Sequence, residues 1–128
     1  MKPYLFGIFC CCLALLACRE QAIEDVEAPQ ITIQSPTAQT IFESGEDIPL
    51  AILIEENDQL HEYQVVVLTE EGQTPVFNVS DHSHLQRLEI NQSFSLTVME
   101  ETSLILEVEA SDHHGNQNVA STRFQLIP

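Results

Sequence analysis

The chain has no tryptophan, and Lys2 is its only lysine. Arg19, Arg87 and Arg123 are the only other strong cations, set against 20 acidic residues. So acidic a surface repels phosphate backbones, which sets nucleic acid aside as a partner. It also repels anionic headgroups, so charge alone cannot hold the chain to a membrane. Beyond residue 18 there is no cysteine, and no internal disulfide can form there. Met99 is the only methionine in that region, which disfavours a soft copper(I) site. Glycine is scarce as well. There is no glycine-rich phosphate loop and no G-x-S-x-G elbow. Ser80, Asp81 and His82 have the residue types of a catalytic triad, but near neighbours in sequence cannot converge as a triad does. No window carries the 3.6-residue apolar stripe of a helix. The sequence therefore points away from an enzyme and from a helical fold.

What is present begins with "MKPYLFGIFCCCLALLAC". One lysine precedes an apolar run that ends on a small residue and a cysteine, the charged and apolar regions of a secretory signal. The run is short for a membrane span. Its end, "LLAC", resembles the bacterial lipobox. That resemblance implies cleavage after Ala17, removal of residues 1–17, and a lipid on Cys18 as the first mature residue. The protein would then sit in the bacterial cell envelope, anchored to the membrane by its acyl chains. Arg19 stands where enteric bacteria use aspartate for inner-membrane retention, which favours the outer membrane. A plain signal peptide and an uncleaved anchor are the other readings. The roughly 110 residues that follow can bury an ordinary core without staples.

Residues 18–29 are polar, acidic and without periodicity, and read as a tether. At about 3.3 Å per residue, the stretch from Arg19 to Pro29 reaches roughly 35 Å when extended. From residue 30 to 128 the pattern changes to alternation with period two. Strands are expected at 30–34, 48–55, 62–69, 75–80, 93–99, 104–111 and 118–127, with 76–79 as an edge candidate and 48–55, apolar on both faces, as a central one. The expected core is Ile31, Ile33, Leu50, Ile52, Ile54, Val65, Val67, Phe94, Leu96, Leu104, Leu106, Val108, Phe124 and Leu126. Gly45, Gly72 and Gly115 fall between strands. About seven short strands at this spacing predict an all-β, immunoglobulin-like β-sandwich.

"ITIQSP", "SGEDIPLAILIEEND" and "LILEVEASDHHGN" look like the bacterial Ig-like and cadherin-like domains of cell-surface proteins. The whole chain resembles small Bacteroidota lipoproteins that carry a domain of unknown function. The resemblance implies a fold and a location, and no activity.

All five histidines are placed by this strand order. If each strand reverses the last, "ENDQLH", "DHSH" and "DHHGN" lie at one end of the sandwich, and "SGED", "EEGQ" and "EETS" at the other. His61, His82, His84, His113 and His114 then share an end with Asp58, Asp81 and Asp112. Imidazole binds Zn²⁺ and Cu²⁺ well, and three or four ligands make a site. His82 and His84 flank one residue, and in extended chain they point the same way. His113 or His114, and His61, would complete a tetrahedral set. Asp81 or Asp112 could ligate, or fix a tautomer from behind. Taken singly, each histidine reads as a solvated loop residue. One feature could break the grouping: were residues 85–90 a separate strand, the order would flip and His113 and His114 would move to the far end. Glu55, Glu56, Asn57, Asp58, Asp112 and Asn116 offer oxygen ligands to calcium, ranked below a transition metal. A bare adhesion or interaction module for another envelope protein is the remaining reading.

Overall fold

The computed structural model describes residues 23–128. The expected signal sequence, Cys18 and the first part of the expected tether lie outside the described residues. Eight strands follow one another: β1 (Gln30–Ser35), β2 (Ile41–Glu43), β3 (Asp47–Glu55), β4 (Leu60–Thr69), β5 (Pro75–His82), β6 (Arg87–Ser95), β7 (Thr102–Asp112) and β8 (Gln117–Ile127). They form a three-stranded sheet, β1-β3-β6, and a five-stranded sheet, β2-β8-β7-β4-β5. All pairings are antiparallel except that of β2 with β8. The fold is the expected all-β, Ig-like sandwich.

Alternation sets the core. On β3, Ile48, Leu50, Ile52 and Ile54 are buried while Asp47, Pro49 and Glu55 are exposed. On β7, Leu104, Leu106, Val108 and Ala110 are buried in the same way. Val65, Val67, Phe124 and Leu126 close the layer, and Phe42 packs edge-on against Phe124 at 5.9 Å. Of the expected core, Ile31, Ile33, Phe94 and Leu96 are only partly buried, whereas Ile48, Leu60 and Ile90 join it.

Three corrections to the strand pattern have physical reasons. The eighth strand, β2, has three residues, of which Phe42 alone turns inward. That is too short for alternation to reveal. Residues 87–90 are the first half of β6 and not an extra strand, pairing with β3 from Glu55↔Arg87 to Asp47↔Ser95. The order of strands is therefore not flipped. The last part of the expected strand 93–99 leaves the ladder: Val98 is held instead by hydrogen bonds to and from the Ser44 hydroxyl.

The connections β3–β4, β5–β6 and β7–β8 meet at one end. The Glu56 N–H donates to the Gln86 carbonyl, and the Leu60 N–H to the Leu85 carbonyl. Leu60 also pairs with Asp112.

Candidate metal centre

Four imidazoles stand in a row at this end, in the order His82, His61, His113, His84. Ring centroids are 5.4 Å apart for His82 and His61, 4.7 Å for His61 and His113, and 5.1 Å for His113 and His84. The last pair is stacked, with 10° between the planes. His84 Nδ1 lies 3.0 Å from His113 Nε2, so one ring donates to the other. His82 and His84 are thus the two ends of the row, with His61 and His113 between them.

A bulge places His61. Leu60 pairs with Asp112 and Glu62 with Ser111, leaving His61 as the extra residue of β4. Further along, the inward positions are odd, Val65 and Val67, yet Leu60 is fully buried. The bulge passes the inward role to Leu60 and re-aims His61 along the rim, a frequent use of bulges near functional sites. The His61 carbonyl accepts the Ser83 N–H, tying β4 to the β5–β6 connection. Among the described residues, His61 Nδ1 is buried without a hydrogen-bond partner. Native structures rarely leave such an atom unsatisfied.

Glu62 joins the row from β4. It pairs across the ladder with His82, and its Oε1 lies 3.6 Å from His82 Nδ1. Donor atoms of His61, Glu62 and His82 lie within 4.8 Å of one another. A tetrahedral zinc ion spaces its donors by about 3.4 Å, so side-chain adjustments of roughly an ångström would bring them to one ion. Glu62 is not among the residues expected from the sequence: the expected strand ends at residue 80, and β5 runs on to His82, which Glu62 faces.

Two candidates fall elsewhere. Asp81 is exposed, its Oδ1 accepts the His82 N–H, and it pairs with Tyr63. His114 turns away from the row, with Nδ1 3.8 Å from Asp25 Oδ2.

Asp112 supports the turn that presents His113. It is 1% exposed. Its Oδ1 accepts the His114 and Asn116 N–H groups, and its Oδ2 accepts Asn116 Nδ2 at 2.7 Å. Burial alone would push this carboxyl up, but the Asn116 side chain and the turn N–H groups outweigh it and hold it below the ordinary 3.8. Glu56 has the opposite balance. Desolvation pushes it above 4.5 despite N–H bonds from Asp58 and Asn57, and the charges of Asp112 and Asp25 push the same way.

No protein-family model matches this chain, and no curated protein does. Among solved structures it is similar to the fibronectin(III)-like modules of Clostridium thermocellum CbhA. The TM-score is 0.50 at 17% identity, covering 76% of this chain and 94% of that one. That likeness is one of fold.

Proposed function

We propose that this domain is a non-catalytic module of the bacterial envelope, lipid-anchored through Cys18, that binds one divalent transition metal, Zn²⁺ or Cu²⁺. One observation carries the reading. Four imidazoles from three separate chain segments meet ring to ring, and the second in the row has a buried nitrogen without a partner. Imidazole-rich, cysteine-free donor sets suit zinc and copper(II). The task is metal capture and delivery, or a metal-stabilised contact with an envelope partner. An exposed row at a domain end suits exchange with a partner better than turnover of a substrate.

Calorimetric titration of the purified chain with Zn²⁺ and Cu²⁺, beside His61→Ala/His113→Ala, tests it. Loss of the middle of the row should weaken binding by at least about 100-fold, since two of at most four imidazole ligands go. Equal, weak binding by both proteins would leave the histidines as loop residues of a plain interaction module. The anchor is tested separately: Cys18→Ser should release the chain from the membrane fraction, and unchanged attachment would contradict lipidation.

A further inference from the structure

A short piece of chain joins Cys18 to the end of the sandwich that carries the histidine row. Its last part is not free. Asp25 is only 14% exposed at its side chain, and Pro29 is buried. Three amides grip the segment. Asn57 Nδ2 donates to Asp25 Oδ1, Asn116 Nδ2 to the Asp25 carbonyl, and Asn118 Nδ2 to the Pro29 carbonyl. Asn57 lies in the β3–β4 connection and Asn116 in the β7–β8 connection, both at the histidine end. Gln30 then pairs with Glu55, so β1 begins at that end as well.

Lengths decide what this grip does. Asp25 is seven residues beyond Cys18, and however that stretch runs it spans at most about 25 Å. β7 has 11 residues, which makes the sandwich roughly 33 Å from end to end at about 3.3 Å per residue. A chain gripped at Asp25 therefore cannot carry Cys18 from the histidine end to the far end. Without the grip, the free stretch would run to Gln30, twelve residues beyond Cys18. That is at most about 43 Å, enough to pass the far end.

We propose that these amides clasp the tether so that the histidine end faces the membrane in which Cys18 is anchored, and that the row exchanges its metal with a protein embedded in that membrane. The inference rests on the anchor and the metal proposed above. A partner free in solution would have to enter a gap of at most about 25 Å, less than the roughly 30 Å diameter of a small domain. A face presented from the membrane meets no such barrier. The lipid headgroups themselves are not the partner, because a chain with 20 acidic residues and 4 strong cations repels anionic ones.

The chain has no tryptophan, so single-tryptophan variants report one position each. Gln59→Trp marks the histidine end and Glu71→Trp the far end, and both positions are exposed. The full chain is reconstituted in phosphatidylcholine vesicles that contain a dansyl-labelled lipid, and flotation reads the anchor. If it does not float, Cys18 is coupled to a maleimide lipid in a chain carrying Cys10→Ser, Cys11→Ser and Cys12→Ser, so orientation is read either way. Energy transfer falls with the sixth power of distance. It should be at least about threefold more efficient from Gln59→Trp than from Glu71→Trp, with the two ends roughly 33 Å apart. Both reporters share the preference of tryptophan for the interface, so the comparison cancels it. Asp25→Ala/Asn118→Ala should bring the two efficiencies closer. Asn57→Ala, whose side chain makes no other hydrogen bond among the described residues, repeats the test should the double variant fail to fold. Equal transfer from the two positions, or stronger transfer from Glu71→Trp, would overturn the proposal. So would an unchanged ratio in the folded clasp variants. Zinc removal tests the partner class. A chelator coupled to a large dextran should strip zinc severalfold more slowly from the vesicle-bound chain than from the chain in detergent, while the free chelator acts equally on both. Equal rates for the dextran chelator would exclude a row shielded by the membrane.

Discussion

Asp112 and Glu56 are neighbouring acids with opposite effects on stability. Asp112 has its folded value below 3.8, because hydrogen bonds outweigh burial. Its contribution is present above that pH and is lost as pH falls through the folded value. Glu56 has its folded value above 4.5, chiefly through desolvation. Its contribution is present below 4.5 and is lost as pH rises through the folded value. In the cation-free chain, Glu56→Gln should therefore raise the denaturant midpoint at pH 7 and change it little at pH 3. Gln keeps the acceptor oxygen for the Asn57 and Asp58 N–H groups. Urea unfolding at the two pH values in EDTA checks this, and a lower midpoint at pH 7 would contradict it. Leu106 sets the scale for the core. It is fully buried in the middle of β7, and Leu106→Ala should cost about 2–5 kcal/mol. Val119 is 53% exposed on β8, and Val119→Ala should stay within about 0.5 kcal/mol.

Among the elements, the β7–β8 turn and the β4 bulge aim the ligands. Gly115 has φ of 88°, a conformation that costs other residues about 1–2 kcal/mol. A Cβ there would meet nothing within 4 Å, so the cost of Gly115→Ala is one of backbone alone. It should destabilise the fold by about 1–2 kcal/mol, and Gly115→Asn should recover part of that, since asparagine tolerates this region better. Thermal unfolding of both variants checks the order. Strand identity was legible in the alternating runs of β7 and β8 and in the apolar run of β3, whereas the expected strand 93–99 meets β6 only at 93–95. The bulge was not legible. Its extra residue shifts parity between Leu60 and Val65, and no turn residue marks it. Leu60 therefore escaped the expected core; the place of Glu62 beside His82 was hidden for a different reason, since β5 continues two residues past its expected end at 80. Asp25 was illegible for another reason. It lies in an acidic run without periodicity, and its contacts with Asn57 and Asn116 span 32 and 91 residues.

For the molecule as a whole, strand order does what no local motif does. "DHSH" and "DHHG" are weak signals singly, and topology makes them neighbours because β5–β6 and β7–β8 close the same end of the sandwich. That much followed from counting reversals along the sequence. How the rings would meet did not, because it depends on the bulge and on the turn that Asp112 holds. Acid should weaken the centre, because protons compete with the metal for the ring nitrogens. Zinc affinity should accordingly be lower at pH 5.5 than at pH 7, and titration at the two values checks it.

The most direct test of the histidine centre follows the ring nitrogens themselves. Nitrogen-15 NMR of the labelled chain, titrated with Zn²⁺ to one equivalent, resolves each imidazole. The row predicts that His61 and His82, whose donors already lie together with Glu62, show the large shift of a coordinated nitrogen, that His113 responds beside them, and that His114 stays as it was. Five histidines responding alike and weakly, or none responding before excess metal, would contradict a single centre built from the row.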